Sequence, residues 1–238
     1  MRVGAAISQA LAGAGYRVWV HYCRSQGPAE VLAATLGGAC LGLCQGDLAD
    51  EGAREALCRR VLEEGGPAGG RVDLLVNNAA SFERGEFLRR SDAELRRVHE
   101  VNFVAPVSLT RGLVAALARA KGAVVNILDV AALQPWRGYL DHCTAKAALA
   151  MATRALAVEL APAVRVNGVA PGTVAWPEDE RYAEGSEVRA RILRAIPLGR
   201  IGTPEEIART VLFLAESSFI TGQVVVVDGG RTAGAAVE

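Results

Sequence analysis

The stretch VDLLVNNAASF, residues 72–82, decides the fold. Val72 to Val76 is apolar except for Asp73 near its start. It is bounded by the glycine-rich turn GGPAGG (65–70) in front and by an Asn-Asn pair behind. Such a run is too short for a buried helix and suits a strand covered on both faces. Working outward, similar short runs stand at Val18–Tyr22, Cys40–Gln45, Ala123–Leu128, Val164–Val169 and Gln223–Val227. Between them lie segments of helical character: Gly4–Gly13, Ala29–Leu36, Ala53–Glu64, Asp92–Leu117 with a bend expected at Pro106, Cys143–Leu160 and Pro204–Glu216. Strands alternating with helices predict a doubly wound parallel sheet in a three-layer α/β/α sandwich, one domain over residues 1–238. The charged segment Val174–Leu193 reads as a mobile lid over a site.

The composition fits that reading and excludes others. Of 238 residues, 51% are hydrophobic and 22% charged, enough for a buried core. Lys plus Arg and Asp plus Glu number 26 each, so no basic excess favours nucleic acid. Asp129, Lys146, Arg154 and Glu159 interrupt the most apolar stretches, and none approaches the roughly 20 residues of a membrane span. Ser8 and Gln9 interrupt an opening that otherwise resembles a signal peptide. Five cysteines at odd spacings give neither a disulfide framework nor a metal site. Reduced thiols and a cytoplasmic location are the expectation.

Asn77 and Asn78, at the carboxyl end of a strand, fall where open α/β sheets bind ligands, although Asn pairs also close ordinary turns. In GYLDHCTAK (138–146), His142 and Lys146 are four apart on one helix face, a catalytic pair or a surface one. VRVNGVAPGT (164–173) and ITGQVVVVDGG (220–230) are each a strand running into turn residues.

Taken in order, the NNA block, Asn102 in the following helix, the Lys146 helix, the PGT turn and the terminal ITGQ…VDGG strand resemble the short-chain dehydrogenase/reductase family over essentially the whole chain. The resemblance implies a nicotinamide dinucleotide site and hydride transfer to C=O or C=N bonds. It places Gly4, Asp47, Leu48, Asn77, Ala79, Lys146, Pro171, Gly172 and Thr173 at the cofactor, and Asn102 and Lys146 in the catalytic group. Three features resemble the pteridine reductase branch: HYCRS (21–25), Phe82 where that branch stacks a pterin ring, and Asp129 in LDVAALQPWRGY (128–139) where most of the family has serine. Trp136 falls near the same pocket. Arg24 and Ser25 after the second strand suit a 2′-phosphate better than the acidic residue of NAD-specific relatives, and Arg2 is a second basic candidate; NADP(H) is the expected cofactor. A small-molecule substrate and a homodimer or homotetramer follow from the resemblance.

Two departures stand out. The family's first strand and most of its phosphate loop have no counterpart ahead of Gly4. A missing central strand leaves on the order of ten backbone groups unpaired, at about 1–3 kcal/mol each if buried, which rivals a domain's whole stability of about 5–15 kcal/mol. Met1 is therefore expected to be an internal start of a longer chain; otherwise the sheet edge is rearranged or a partner supplies a strand. Second, the family's catalytic tyrosine falls at His142, while Tyr139 comes three residues too early. An imidazole, with an ordinary pKa of about 6.5 against about 10 for a phenol, can still donate a proton. A relay of Asp129 with His142, with Lys146 and Asn102 holding ribose and water, is the expectation. The first functional reading is an NADPH-dependent reductase of a pterin or similar C=N/C=O substrate. A general carbonyl or 3-oxoacyl reductase and a non-catalytic dinucleotide-binding protein are the alternatives.

Overall fold

The computed structural model describes residues 3–64, 70–177 and 179–234. Its helices and strands alternate as the sequence predicts. They are α1 (Val3–Gly13), β1 (Val18–Tyr22), α2 (Gln26–Leu36), β2 (Cys40–Gln45), α3 (Glu51–Glu64), β3 (Leu74–Asn77) and α4 (Asp92–His99). Then follow α5 (Ala105–Ala120), β4 (Ala123–Ile127), α6 (Leu140–Leu160), β5 (Arg165–Pro171), α7 (Glu187–Arg194), α8 (Pro204–Glu216) and β6 (Val224–Val227). All strand pairings are parallel.

Alternation along the central strands sorts side chains into two cores. Val125, Ile127 and Val169 face α1 and α8 through Ile7, Leu11, Ile207 and Val211. Val124 and Val166, one residue out of phase, face α5 through Leu109, Leu113 and Leu117. The helices stop and start on local chemistry. A capping box between Thr203 and Glu206 opens α8 with Pro204 in its first turn, and one between Ser91 and Glu94 opens α4.

Among the described residues the strands form two hydrogen-bonded sets, β1–β2 and β3–β4–β5–β6, with no ladder joining β1 to β3. That leaves a break in hydrogen bonding between β1 and β3. α1 spans it, since Val18 of β1 and Leu74 and Val76 of β3 pack on the same cluster as Ile7 and Leu11. Every residue of β4 is buried, whereas only Val20 of β1 and only Asn77 of β3 are. The backbone groups along the break therefore lie in half-buried strands, where the penalty for leaving them unpaired is smaller than in a sealed sheet.

Three elements differ from expectation. The long helix after β3 is broken by a π-turn at Glu100–Val104, just ahead of Pro106. Proline has no N–H to offer the carbonyl of Asn102, and a wider turn absorbs that loss. Second, the run Asp92–Ala120 is long and apolar enough, by length and composition, to cross a membrane, contrary to the sequence reading. Here its apolar stripe packs on Val124 and Val166 instead. Third, the described part of the lid segment contains a 3₁₀ turn (Glu180–Tyr182) and most of α7, with Ser186 capping α7 and three of its charges in local pairs, Arg181–Asp179 and Glu187 with Arg194.

Candidate active site

The site assembles where the carboxyl ends of β4 and β5 meet the first turns of α6. Asp129, two residues beyond β4, is extended, and its Oδ1 accepts the Ala131 N–H at 2.8 Å. That bond leaves Oδ2 for His142 Nε2, 3.2 Å away. His142 lies in the first turn of α6, one turn before Lys146, so helical spacing alone sets both on one side. The helix is anchored there by Asp141, buried and paired with Arg90 Nε at 2.8 Å.

The other imidazole nitrogen has two neighbours. Nδ1 stands 3.2 Å from the Ser81 carbonyl and 3.3 Å from Asn102 Nδ2. Asn102 is itself fixed by the Ser81 backbone, whose N–H it accepts and whose carbonyl it donates to, both at 2.8 Å. Two protonation states are thus accommodated. An imidazolium donates to Asp129 and to Ser81; a neutral ring donates to Asp129 and accepts from Asn102 when protonated at Nε2, or keeps its bond to Ser81 when protonated at Nδ1. The π-turn carries Asn102 to this point, and Ser81 enters through its backbone alone, which is why no side-chain signal marked it.

Lys146 is fully buried, and its Nζ donates to the Ile127 carbonyl at 2.7 Å. Burial lowers its pKa from the ordinary 10.5 to about 8, with nearby Asp129 opposing the fall. An ammonium has three donors, and among the described residues one acceptor is supplied.

Aromatic rings cover His142. Phe82 meets it edge-on at 4.9 Å and stacks on Tyr139 at 4.7 Å; Trp136 stands edge-on to both. Phe82 is 46% exposed, a wall of the crevice and not a core aromatic. Tyr139 does not replace the expected tyrosine. It precedes α6, its ring is committed to Phe82, and burial and a hydrogen bond with Tyr182 raise its phenol's pKa.

Comparison with known proteins identifies the family of the chain. The family described as enoyl-(acyl carrier protein) reductase matches residues 2–232. The 3-oxoacyl-[acyl-carrier-protein] reductase FabG of Aquifex aeolicus is 34% identical over 235 residues, 96% of this chain and 92% of that protein. The chain belongs to the short-chain dehydrogenase/reductase family. The short-chain reductase protein NovJ of Streptomyces niveus is 37% identical over 241 residues, covering 96% of this chain and 89% of its own. An apo SCOR enzyme from Clostridium thermocellum superimposes with a TM-score of 0.86 at 28% identity, over 99% of this chain and 90% of that one.

Reductases of this family use nicotinamide dinucleotides, and the residues here fit such a group. The buried Lys146 ammonium retains two donors suited to ribose hydroxyls. At the end of β5, a Cβ on Gly172 would lie 2.8 Å from Asp228 Cα, so only glycine permits the turn from Pro171 to Thr173 to pass that close. Gly4, in the first turn of α1, lies against Asn78 at the end of β3, beside the break in the sheet. Arg24 and Ser25 are exposed at the start of α2, and the Ser25 side chain makes no cap bond. Arg2 falls outside the described residues.

Other expected cofactor residues have structural partners. Asp47 pairs with Arg97 at 2.7 Å and accepts the Ala49 N–H. The Leu48 side chain is buried in the core with Cys58, and Ala79 packs against the same cluster. Asn77 braces the sheet by donating to Asn126 Oδ1 at 2.8 Å, and Asn126 donates in turn to Thr153. The structure thus brings Asp129, His142, Lys146, Asn102, Phe82 and Trp136 into one neighbourhood, while Arg24, Ser25 and Asp47 lie at the β1–β2 end.

Proposed function

We propose that this protein reduces a ketone-type carbonyl, of the 3-oxoacyl kind, using NADPH, with His142 as the proton donor in place of the family's tyrosine. The observation that carries the reading is the 3.2 Å contact of His142 Nε2 with Asp129 Oδ2, backed on the far side of the ring by Ser81 and Asn102. When bound, the dihydronicotinamide supplies hydride to the carbonyl carbon. The chain's part is to move one proton. As negative charge develops on the carbonyl oxygen, the imidazolium gives up its Nε2 proton, and the neutral ring retains Nδ1–H on the Ser81 carbonyl. The bare Nε2 lone pair then faces a carboxylate, which favours its reprotonation. Asp129, whose side chain is 21% exposed against 3% for His142, is the more water-accessible partner in that step. Lys146 and Asn102 orient and hold.

The sequence reading put a pterin substrate first, partly because a carboxylate at position 129 would repel a developing oxyanion. That objection weakens here. Before the proton moves both Asp129 oxygens are engaged, one by a backbone N–H and one by His142, and the imidazolium stands beside the carboxylate to offset its charge. The family match and the FabG relative also favour carbonyl over pterin.

Arg24 and Ser25 support NADPH over NADH, a guanidinium and a hydroxyl at a helix start suiting a 2′-phosphate. Exposed Met151 and Val158, seven apart on α6, with Phe213 and Phe219 beside α8, support a homo-oligomer. The test is an NADPH fluorescence titration followed by addition of acetoacetyl-coenzyme A or dihydrobiopterin. Turnover of the ketone supports the proposal. Turnover of dihydrobiopterin alone restores the pteridine reading, and binding with neither turnover leaves a non-catalytic dinucleotide-binding protein.

A further inference from the structure

Arg231 is absent from every role above. It follows the Asp228-Gly229-Gly230 turn that ends β6, and it is half-buried. Its guanidinium carbon lies 5.3 Å over the Trp136 ring, and Nη1 reaches Thr173 Oγ1 at 3.4 Å. Among the described residues no carboxylate lies within salt-bridge distance of it. The acid nearest in sequence, Asp228, is occupied by the backbone N–H groups of Gly230 and Thr232 at 2.8 and 2.7 Å. Arg181 and Arg90 differ, since they hold Asp179 and Asp141, whereas Arg84 beside Gly138 resembles Arg231 in having no salt bridge among the described residues.

The placement of this charge gives it meaning. Trp136 is edge-on to Phe82, and Phe82 is edge-on to His142. The rings form a continuous wall with His142 at one end and, at the other, a guanidinium that has no carboxylate partner among the described residues. Two further cations flank the wall, since Arg181 and Arg84 both act electrostatically on Tyr139. A planar molecule lying along the wall with its carbonyl near His142 would carry its far end toward Arg231. A guanidinium held on an aromatic face keeps its fork free for a bidentate acceptor.

We infer that Arg231 is a specificity-determining residue that receives a carboxylate on the far end of the substrate, so that the preferred substrates are planar or conjugated carbonyl compounds bearing an anionic group. This rests on the carbonyl-reductase reading for the reaction, but not for the binding. The same chemistry would suit a phosphate of the dinucleotide, because Thr173 lies in the turn assigned to the cofactor, and the test separates the two sources.

The probes are 4-acetylbenzoate and its methyl ester, equal in shape and differing in charge, titrated by tryptophan fluorescence without cofactor, with NADPH titrated separately. The native protein is expected to bind the acid about tenfold or more tightly than the ester. Arg231→Gln should erase that preference, leaving ester and NADPH affinities in place, with Arg231→Lys intermediate; near-UV circular dichroism verifies folding. Equal binding of acid and ester by the native protein, or a preference that survives Arg231→Gln, overturns the inference. Loss of NADPH affinity in Arg231→Gln with the acid preference intact overturns it in favour of the cofactor's phosphate. No arm depends on turnover, so a failure of the reductase reading remains distinguishable.

Discussion

Replacing Lys146 with methionine isolates the energetic consequence of burying an ammonium beneath the site. Methionine nearly matches the side chain in length and packs flexibly, but does not titrate. In the folded protein Lys146 has a pKa of about 8, against 10.5 for an ordinary lysine. That difference corresponds to about 3 kcal/mol of weaker proton binding in the folded state. Below pH 8 both folded and unfolded chains hold the proton, and the penalty is present in full. Between 8 and 10.5 the unfolded chain keeps a proton that the folded chain has released, so this group's contribution to stability rises with pH. Above 10.5 neither form is charged and the penalty is gone. The stability of the native protein relative to Lys146→Met should therefore increase by up to about 3 kcal/mol between pH 7 and pH 11. Near pH 7 the two should lie close together, because the variant relieves the buried charge but leaves the Ile127 carbonyl without its donor, a loss of about 1–3 kcal/mol. Urea unfolding followed by circular dichroism at several pH values measures the difference, and groups common to both proteins cancel. A difference that stays constant across the window would refute the reasoning.

Three further outcomes follow from the geometry. Gly172→Ala places a Cβ 2.8 Å from Asp228 Cα while the Gly172 N–H is tied to the Val227 carbonyl, so it should lower stability by about 1–3 kcal/mol in denaturant unfolding. Arg24→Gln should raise the NADPH dissociation constant about tenfold and leave that of NADH unchanged; equal effects on both would remove Arg24 from the 2′-phosphate. Asp129→Asn keeps the shape but removes the charge facing His142 Nε2, and should lower kcat about a hundredfold with NADPH affinity intact.

Much of the fold was legible because its strands are short apolar runs punctuated by turns. The boundaries of β1, β2 and α8 agree with the sequence reading to the residue, where glycine, proline or a capping threonine marks the edge. α6 begins three residues earlier than expected, and there it is anchored by the Asp141–Arg90 pair, a contact 51 residues apart in sequence. The π-turn was not legible because proline signals a disturbance but not the hydrogen-bond register that absorbs it. The lid reading followed charge density, and the helix α7 inside that segment was missed because its apolar positions are few. At the site, His142 and Lys146 were picked out by their helical spacing, and Asp129 and Asn102 through the family resemblance alone. Ser81 acts through its backbone, and the Phe82–Tyr139–Trp136 wall and Arg231 are brought together by tertiary packing, so no window of sequence displays them.

The most direct measurement of the proton-donor assignment is the pH dependence of kcat for NADPH oxidation with acetoacetyl-coenzyme A, compared among the native protein, His142→Ala and His142→Tyr at saturating cofactor. This assignment predicts a native rate that falls as pH rises. It predicts a loss of about a hundredfold or more in His142→Ala, within the range of general-acid effects, and in His142→Tyr a partial recovery whose profile extends to more alkaline pH. A His142→Ala enzyme that turns over at the native rate with the native profile would contradict it.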